Sequence, residues 1–101
     1  MAVIEPDARV VPNPRAVFRK LAEGSGGVVL HLDTAAYHGV NEVGAHIWNL
    51  LGSGMRFGDL VAKVKEDVDG APPTLEDEVA EFVEALHARE LVSVTVPGGD
   101  G

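Results

Sequence analysis

A chain of 101 residues with 46% apolar side chains can build one small core, and at this size folding removes roughly 60–65% of the unfolded surface from water. Little volume is left for a deep catalytic cleft, which favours a binding module. The formal charge of −8 repels phosphate backbones and anionic headgroups, and the absence of cysteine excludes disulfides, thiolate nucleophiles and Cys-based zinc or iron–sulfur sites.

The opening MAVIEPDARVVPNP has no basic start followed by an apolar run, and no stretch approaches the ~20 apolar residues of a membrane span. The expectation is a cytoplasmic protein that meets no membrane and no nucleic acid. Residues 1–14 read as an extended lead-in with an edge strand at Arg9–Val11. AVFRKLAEG (16–24) fits either a helix face through Val17, Phe18 and Leu21 or a strand face through Val17, Arg19 and Leu21. The Gly-Ser-Gly-Gly run at 24–27 is a turn. It lacks the Gly-Lys-Ser/Thr continuation of a phosphate-binding loop, and a strand follows it where such a loop needs a helix N-terminus.

VVLHL (28–32) alternates Val28, Leu30 and Leu32 against Val29 and His31, as a half-buried strand does. Asp33-Thr34-Ala35 supplies a turn and AYHGV (36–40) the returning strand. Asn41 is placed to cap a helix whose first turn carries Glu42. Val43, Ile47, Leu50 and Leu51 form its apolar face, with Trp48 beside them as a core anchor, and Gly52 and Gly54 end it. Phe57, Leu60, Val61, Val64 and Val68 mark a second helix closed by Asp69-Gly70. After Pro72-Pro73, Thr74 caps a third helix, with Asp77 completing an imperfect capping box. Leu75, Val79, Phe82, Val83 and Leu86 are its stripe, and SVTVPGGDG finishes as a short strand or frayed tail. Strands followed by three helices predict an α+β fold, winged helix-turn-helix-like, with an N-terminal three-stranded antiparallel sheet.

Chemistry is hard to place on this pattern. His31, His38, His46 and His87 have no His-x-x-x-His spacing on one helix, so no metal site is expected and they read as surface or half-buried residues. Ser25, Ser53 and Ser93 lack any signature of an activating base. The carboxylates of the third helix read as a solvated face. No catalytic residue, no cofactor and no enzyme activity are expected. A winged-helix DNA reader is the rival reading, but helix 74–90 carries six acidic residues against Arg89, the reverse of what phosphate neutralisation needs.

The run VVLHLDTAAYHGVNEVGAHIWNLL resembles the PqqD-like domains, the leader-peptide recognition elements of ribosomally made peptide pathways. Leu30, Leu32, Asp33, Tyr37, Asn41, Gly44, Ile47, Trp48, Leu50 and Leu51 carry the likeness, and the phrase Arg89–Val92 extends it. Ala35 and Ala36 stand where such domains usually have a glycine. The resemblance spans residues 15–92, leaving a lead-in at 1–14 and a flexible tail at 93–101.

Among these domains the chain is most similar to the stand-alone leader-binding proteins of lasso-peptide biosynthesis. The peptide chaperone that serves a radical-SAM enzyme in pyrroloquinoline quinone synthesis is the near alternative. The resemblance implies a non-catalytic adaptor that binds a precursor's leader by strand addition and presents it to a cysteine-type leader peptidase and an ATP-dependent cyclase. It implies a peptide site at Ala36, Tyr37, His38, Gly39 and Val40, walled by Glu78, Val79, Phe82, Val83 and Leu86. Leu75, Val79, Phe82 and Leu86 are expected to face the core, with Val83 and the edges of Val79 and Phe82 reaching the groove, and Glu78, Glu81 and Glu84 to form an acidic rim for leader lysines or arginines.

Overall fold

The computed structural model describes residues 4–20, 26–68, 70 and 72–96. Strand β1 (Arg9–Pro12) is followed by β2 (Ala16–Lys20), β3 (Gly27–His31) and β4 (Tyr37–Val40). Helix α1 (Glu42–Leu51), a two-residue strand β5 (Met55–Arg56), helices α2 (Phe57–Asp67) and α3 (Leu75–Ala88), and strand β6 (Val92–Thr95) complete the order. The α+β class is as expected, but strands and helices are not segregated along the chain. There are two three-stranded antiparallel sheets, β5-β1-β6 and β2-β3-β4.

The strand expected at an edge, β1, is the centre of its sheet, with Val10 fully buried. Val10 is flanked on both sides because β5 and β6, which follow the first helix and the third, pair with it at Met55 and Val94. The tail expected from residue 93 accordingly begins inside β6, where Ser93 pairs with Val11. Residues 16–20 resolve as strand. Leu21 to Ser25, Asp69 and residues 97–101, which figured in the sequence reading of the first turn, the close of the second helix and the tail, lie outside the described residues.

Glycine explains the join between β2 and β3. A Cβ on Gly27 would stand 2.5 Å from the Arg19 carbonyl oxygen and 2.6 Å from the Phe18 ring, and one on Gly26 would collide with the Val40 carbonyl. No side chain fits between these strands there.

The turn from β3 to β4 is organised by His31, which is only 4% exposed and therefore buried, against the expectation of a surface or half-buried ring. Its Nδ1 accepts from the backbone N–H groups of Asp33 (3.1 Å) and Thr34 (3.3 Å), and its Nε2 lies 3.3 Å from Asn13 Nδ2. Burying the ring is tolerable because its polar atoms are engaged. Ala35 occupies the left-handed region at φ 64, the position that glycine fills most easily. Arg15 closes the outside with an exposed ion pair to Asp33 at 2.9 Å.

Asn41 caps α1 by accepting from the Gly44 N–H at 2.8 Å, and Gly52 ends the helix at φ 51. At α3 the cap differs from expectation. Thr74 makes no bond to a helical N–H, and its hydroxyl donates to Glu78 Oε2 at 2.9 Å, so Asp77 completes no capping box. The other end of α3 is a Schellman closure, in which Leu91 N–H donates to Leu86 C=O and Glu90 N–H to His87 C=O, with Glu90 at φ 59. Leu86 and Leu91, both fully buried, make the apolar contact of that motif.

The core lies between the two sheets and the three helices. Ile47 and Leu51 of α1, Phe57, Leu60 and Val64 of α2, and Leu75, Val79, Val83 and Leu86 of α3 meet Val10, Val29, Val40 and Val92 of the strands. Each fully buried leucine here contributes about 1.5–3 kcal/mol. Trp48 packs against this cluster while staying half-buried.

Candidate peptide-binding edge and groove

Of the strands in the second sheet, β3 is central, leaving β4 as an edge. Its pairing sets which backbone groups are used. His31 N–H donates to Ala36 C=O at 2.8 Å, and the register continues Leu30 to Tyr37, Val29 to His38, Val28 to Gly39 and Gly27 to Val40. Antiparallel ladders alternate hydrogen-bonded and non-bonded pairs. His38 and Val40 therefore direct their N–H and C=O groups toward β3, as Ala36 does its carbonyl, while the Ala36 N–H donates to the Thr34 hydroxyl at 3.1 Å. Tyr37 and Gly39 direct theirs outward, along the open edge.

Side chains divide the same residues differently, because successive positions face opposite sides of a sheet. Val40 is buried and His38 half-buried on the inner face, while Tyr37 is 66% exposed on the outer one. A Cβ built on Gly39 would touch nothing within 4 Å. The edge thus presents two backbone rungs with little side-chain obstruction.

Helix α3 flanks this edge. The Phe82 ring stands 5.8 Å from the His38 ring, centroid to centroid. Around the Phe82 side chain runs a cleft of ≈ 280 Å³ lined by Asn41, Val43, Gly44, Ile47, Val68, Pro72, Leu75, Glu78, Val79 and Phe82. Val43, expected on the buried stripe of α1, is 38% exposed and opens into this cleft. Gly44 takes its place against the neighbouring elements: a Cβ there would lie 3.0 Å from both Phe82 and Val40. The Asn-x-x-Gly phrase at 41–44 thus serves two ends, capping α1 and letting α3 approach β4. Burial pushes the His38 imidazole below its usual titration range, and the Arg89 guanidinium adds to the effect.

The expected residues fall into two sets. The structure sets His38 against Phe82 and lines the cleft with Glu78, Val79 and Phe82 beside Asn41 and Gly44, just past the end of β4, while Ala36, Tyr37 and Gly39 are not among its lining residues. Val83 and Leu86 do not line it either. Both are fully buried in the core, because they lie on the apolar stripe one position away from the groove face. The expectation that Val83 reaches the groove is therefore overturned, whereas Phe82, expected to reach it by an edge, is half-buried at the cleft. Glu84 does not belong to an acidic rim here, since it lines a different hollow with Ile4, Ala8 and Val94. The sequence reading missed Ala85 and Arg89, which continue the Glu78–Phe82 face of α3. The spacing 78, 82, 85, 89 is the i, i+4, i+7, i+11 signal that could have found them.

Among the described residues no group of three or more His, Cys, Asp or Glu converges as a metal site, and no helix is long and apolar enough to cross a membrane. His46 and Asp67 pair at 2.8 Å, which links α1 to the end of α2.

No curated protein matches the chain. A solved structure described as TbiB1 in complex with the TbiA(beta) leader peptide is similar over 82% of this chain and 94% of that one, with 29% identity and a TM-score of 0.67. The family model for coenzyme PQQ synthesis protein D matches residues 26–92, a span that takes in β3, β4, all three helices and the cleft between them. With about two thirds of its length matched in this way, the chain belongs to the PqqD family.

Proposed function

We propose that this protein is a non-catalytic adaptor that binds the leader segment of a ribosomally made precursor peptide. The leader adds as a further strand on the open edge of β4 and lays its inward side chains against Phe82, Val79 and the Asn41–Gly44 turn. The carrying observation is the outward direction of the Tyr37 and Gly39 backbone groups on a strand whose His38 meets Phe82, a residue of the apolar cleft that begins at Asn41. An uncovered edge is ordinarily a liability for pairing with other chains, and a flanking groove turns it into a template. Main-chain bonds set register, and side-chain pockets set specificity. The leader complex of a structural relative supports the same reading.

In this account the adaptor serves a lasso-peptide pathway and delivers the leader to a separate cysteine-type peptidase and an ATP-dependent cyclase. A fluorescein-labelled leader from the precursor encoded beside this chain's gene, followed by anisotropy, tests binding. Saturable binding that is lost when the leader is scrambled supports the proposal. Absence of binding into the high micromolar range overturns it.

A further inference from the structure

The groove beside β4 is electrically polar along its length. On α3, Glu78, Phe82, Ala85 and Arg89 fall at i, i+4, i+7 and i+11 and share one face. Phe82 fixes which way that face looks, since its ring meets His38 of β4. Glu78 lines the cleft next to Asn41, just past the C-terminal end of β4. Arg89 lies two turns beyond Phe82 in the opposite direction, toward the Ala36 end of the strand, and acts electrostatically on His38. Helix and strand therefore run antiparallel, with a carboxylate at one end of the groove and a guanidinium at the other.

Both charges are held in place. The Glu78 carboxylate accepts from the Thr74 hydroxyl at 2.9 Å, and Arg89 Nη1 donates to the Ala85 carbonyl at 3.1 Å. Arg89 keeps further N–H donors for a partner. It is also the one arginine or lysine among the acids of residues 74–90, so a leader carboxylate passing this helix meets a permanent positive charge only there. Eleven residues of helix separate the two charges by roughly 16 Å. An extended peptide covers that distance in about five residues.

We infer that the groove selects its leader by charge order, through Glu78 at the Asn41 end and Arg89 at the Ala36 end. The ligand class is a leader with a basic residue followed, about five positions later, by an acidic one. The order follows from antiparallel addition to β4, the sense of every other strand pair in the sheet. This inference rests on the strand-addition reading above and adds the charge pattern that reading leaves open.

The test uses the full chain and three forms of the fluorescein-labelled leader from the neighbouring precursor: native, with its acidic residue changed to lysine, and with the two charges exchanged. Anisotropy is read at about 50 mM and 300 mM salt, because exposed pairs weaken as the Debye length shortens. Arg89→Glu should weaken the native leader three- to ten-fold at low salt and regain affinity for the lysine form. Glu78→Lys should likewise weaken the native leader, and the exchanged leader should bind the native chain less well. Melting curves establish that each variant is folded. Native affinity in both folded variants, or an equal loss for all three leaders, overturns the charge-order inference while leaving strand addition intact. Failure of the native chain to bind the native leader overturns both.

Discussion

Phe82 of α3 and His38 of β4 hold their rings 5.8 Å apart, tilted by 59°, and this contact divides the helix into a core face and a groove face. Val83, the next residue, is fully buried in the core cluster. The two neighbours should therefore respond differently to substitution. Phe82→Ala should weaken leader binding at least ten-fold and cost about 2 kcal/mol of stability, less than a fully buried phenylalanine. Val83→Glu places a carboxylate in the core with no partner and should unfold the domain. Chemical denaturation alongside anisotropy separates the cases, and a folded, non-binding Val83→Glu would contradict the assignment of faces.

Two residues hold left-handed backbone without being glycine, Ala35 at φ 64 and Glu90 at φ 59. Relief of the Cβ clash outweighs the added freedom of the unfolded chain, so Ala35→Gly and Glu90→Gly should each stabilise by about 0.5–1 kcal/mol. Urea midpoints would register this, and a fall in either midpoint would be inconsistent with the turn geometry described.

The Asn41 cap joins β4 to α1. Asn41→Ala removes the acceptor for Gly44 N–H and should cost about 1 kcal/mol, whereas Asn41→Ser should recover most of that. Equal stability of the alanine variant and the parent would argue against a working cap.

His38 gives the fold a pH dependence of known sign. Its titration lies below the ordinary imidazole value because burial disfavours the charged ring, with Arg89 adding to the effect. The unfolded chain therefore takes up that proton first as pH falls. The associated stability is present above about pH 6.5 and is lost as pH drops from there through the folded-state value. Thermal melts between pH 7.5 and 5.5 should show a smaller loss in His38→Gln than in the parent. Parallel pH profiles would remove His38 from this role.

Much of this was legible in the sequence because local chemistry decided it. Asn41 before an apolar run marked the cap, and the alternation through 28–40 marked the hairpin. What escaped was settled by tertiary packing. Residues 9–11 read as an edge because β5 and β6, which flank them, come from distant parts of the chain. Phe82 and Val83 are both apolar neighbours, and only the approach of Gly44 to the Phe82 ring decides which of them faces the groove. His31 read as a surface or half-buried residue, since the backbone N–H groups and Asn13 that accompany its full burial become partners only after the turn folds.

A leader that pairs with the open edge of β4 must cover its outward amides, and residue-resolved amide hydrogen exchange reads those amides one by one. In the free chain the amides of His38 and Val40 should be protected by β3, whereas those of Tyr37 and Gly39 should exchange quickly. Saturating leader should slow Tyr37 and Gly39 by at least ten-fold and leave the protected pair unchanged. A leader that binds while Tyr37 and Gly39 continue to exchange at their free rates would contradict strand addition at this edge.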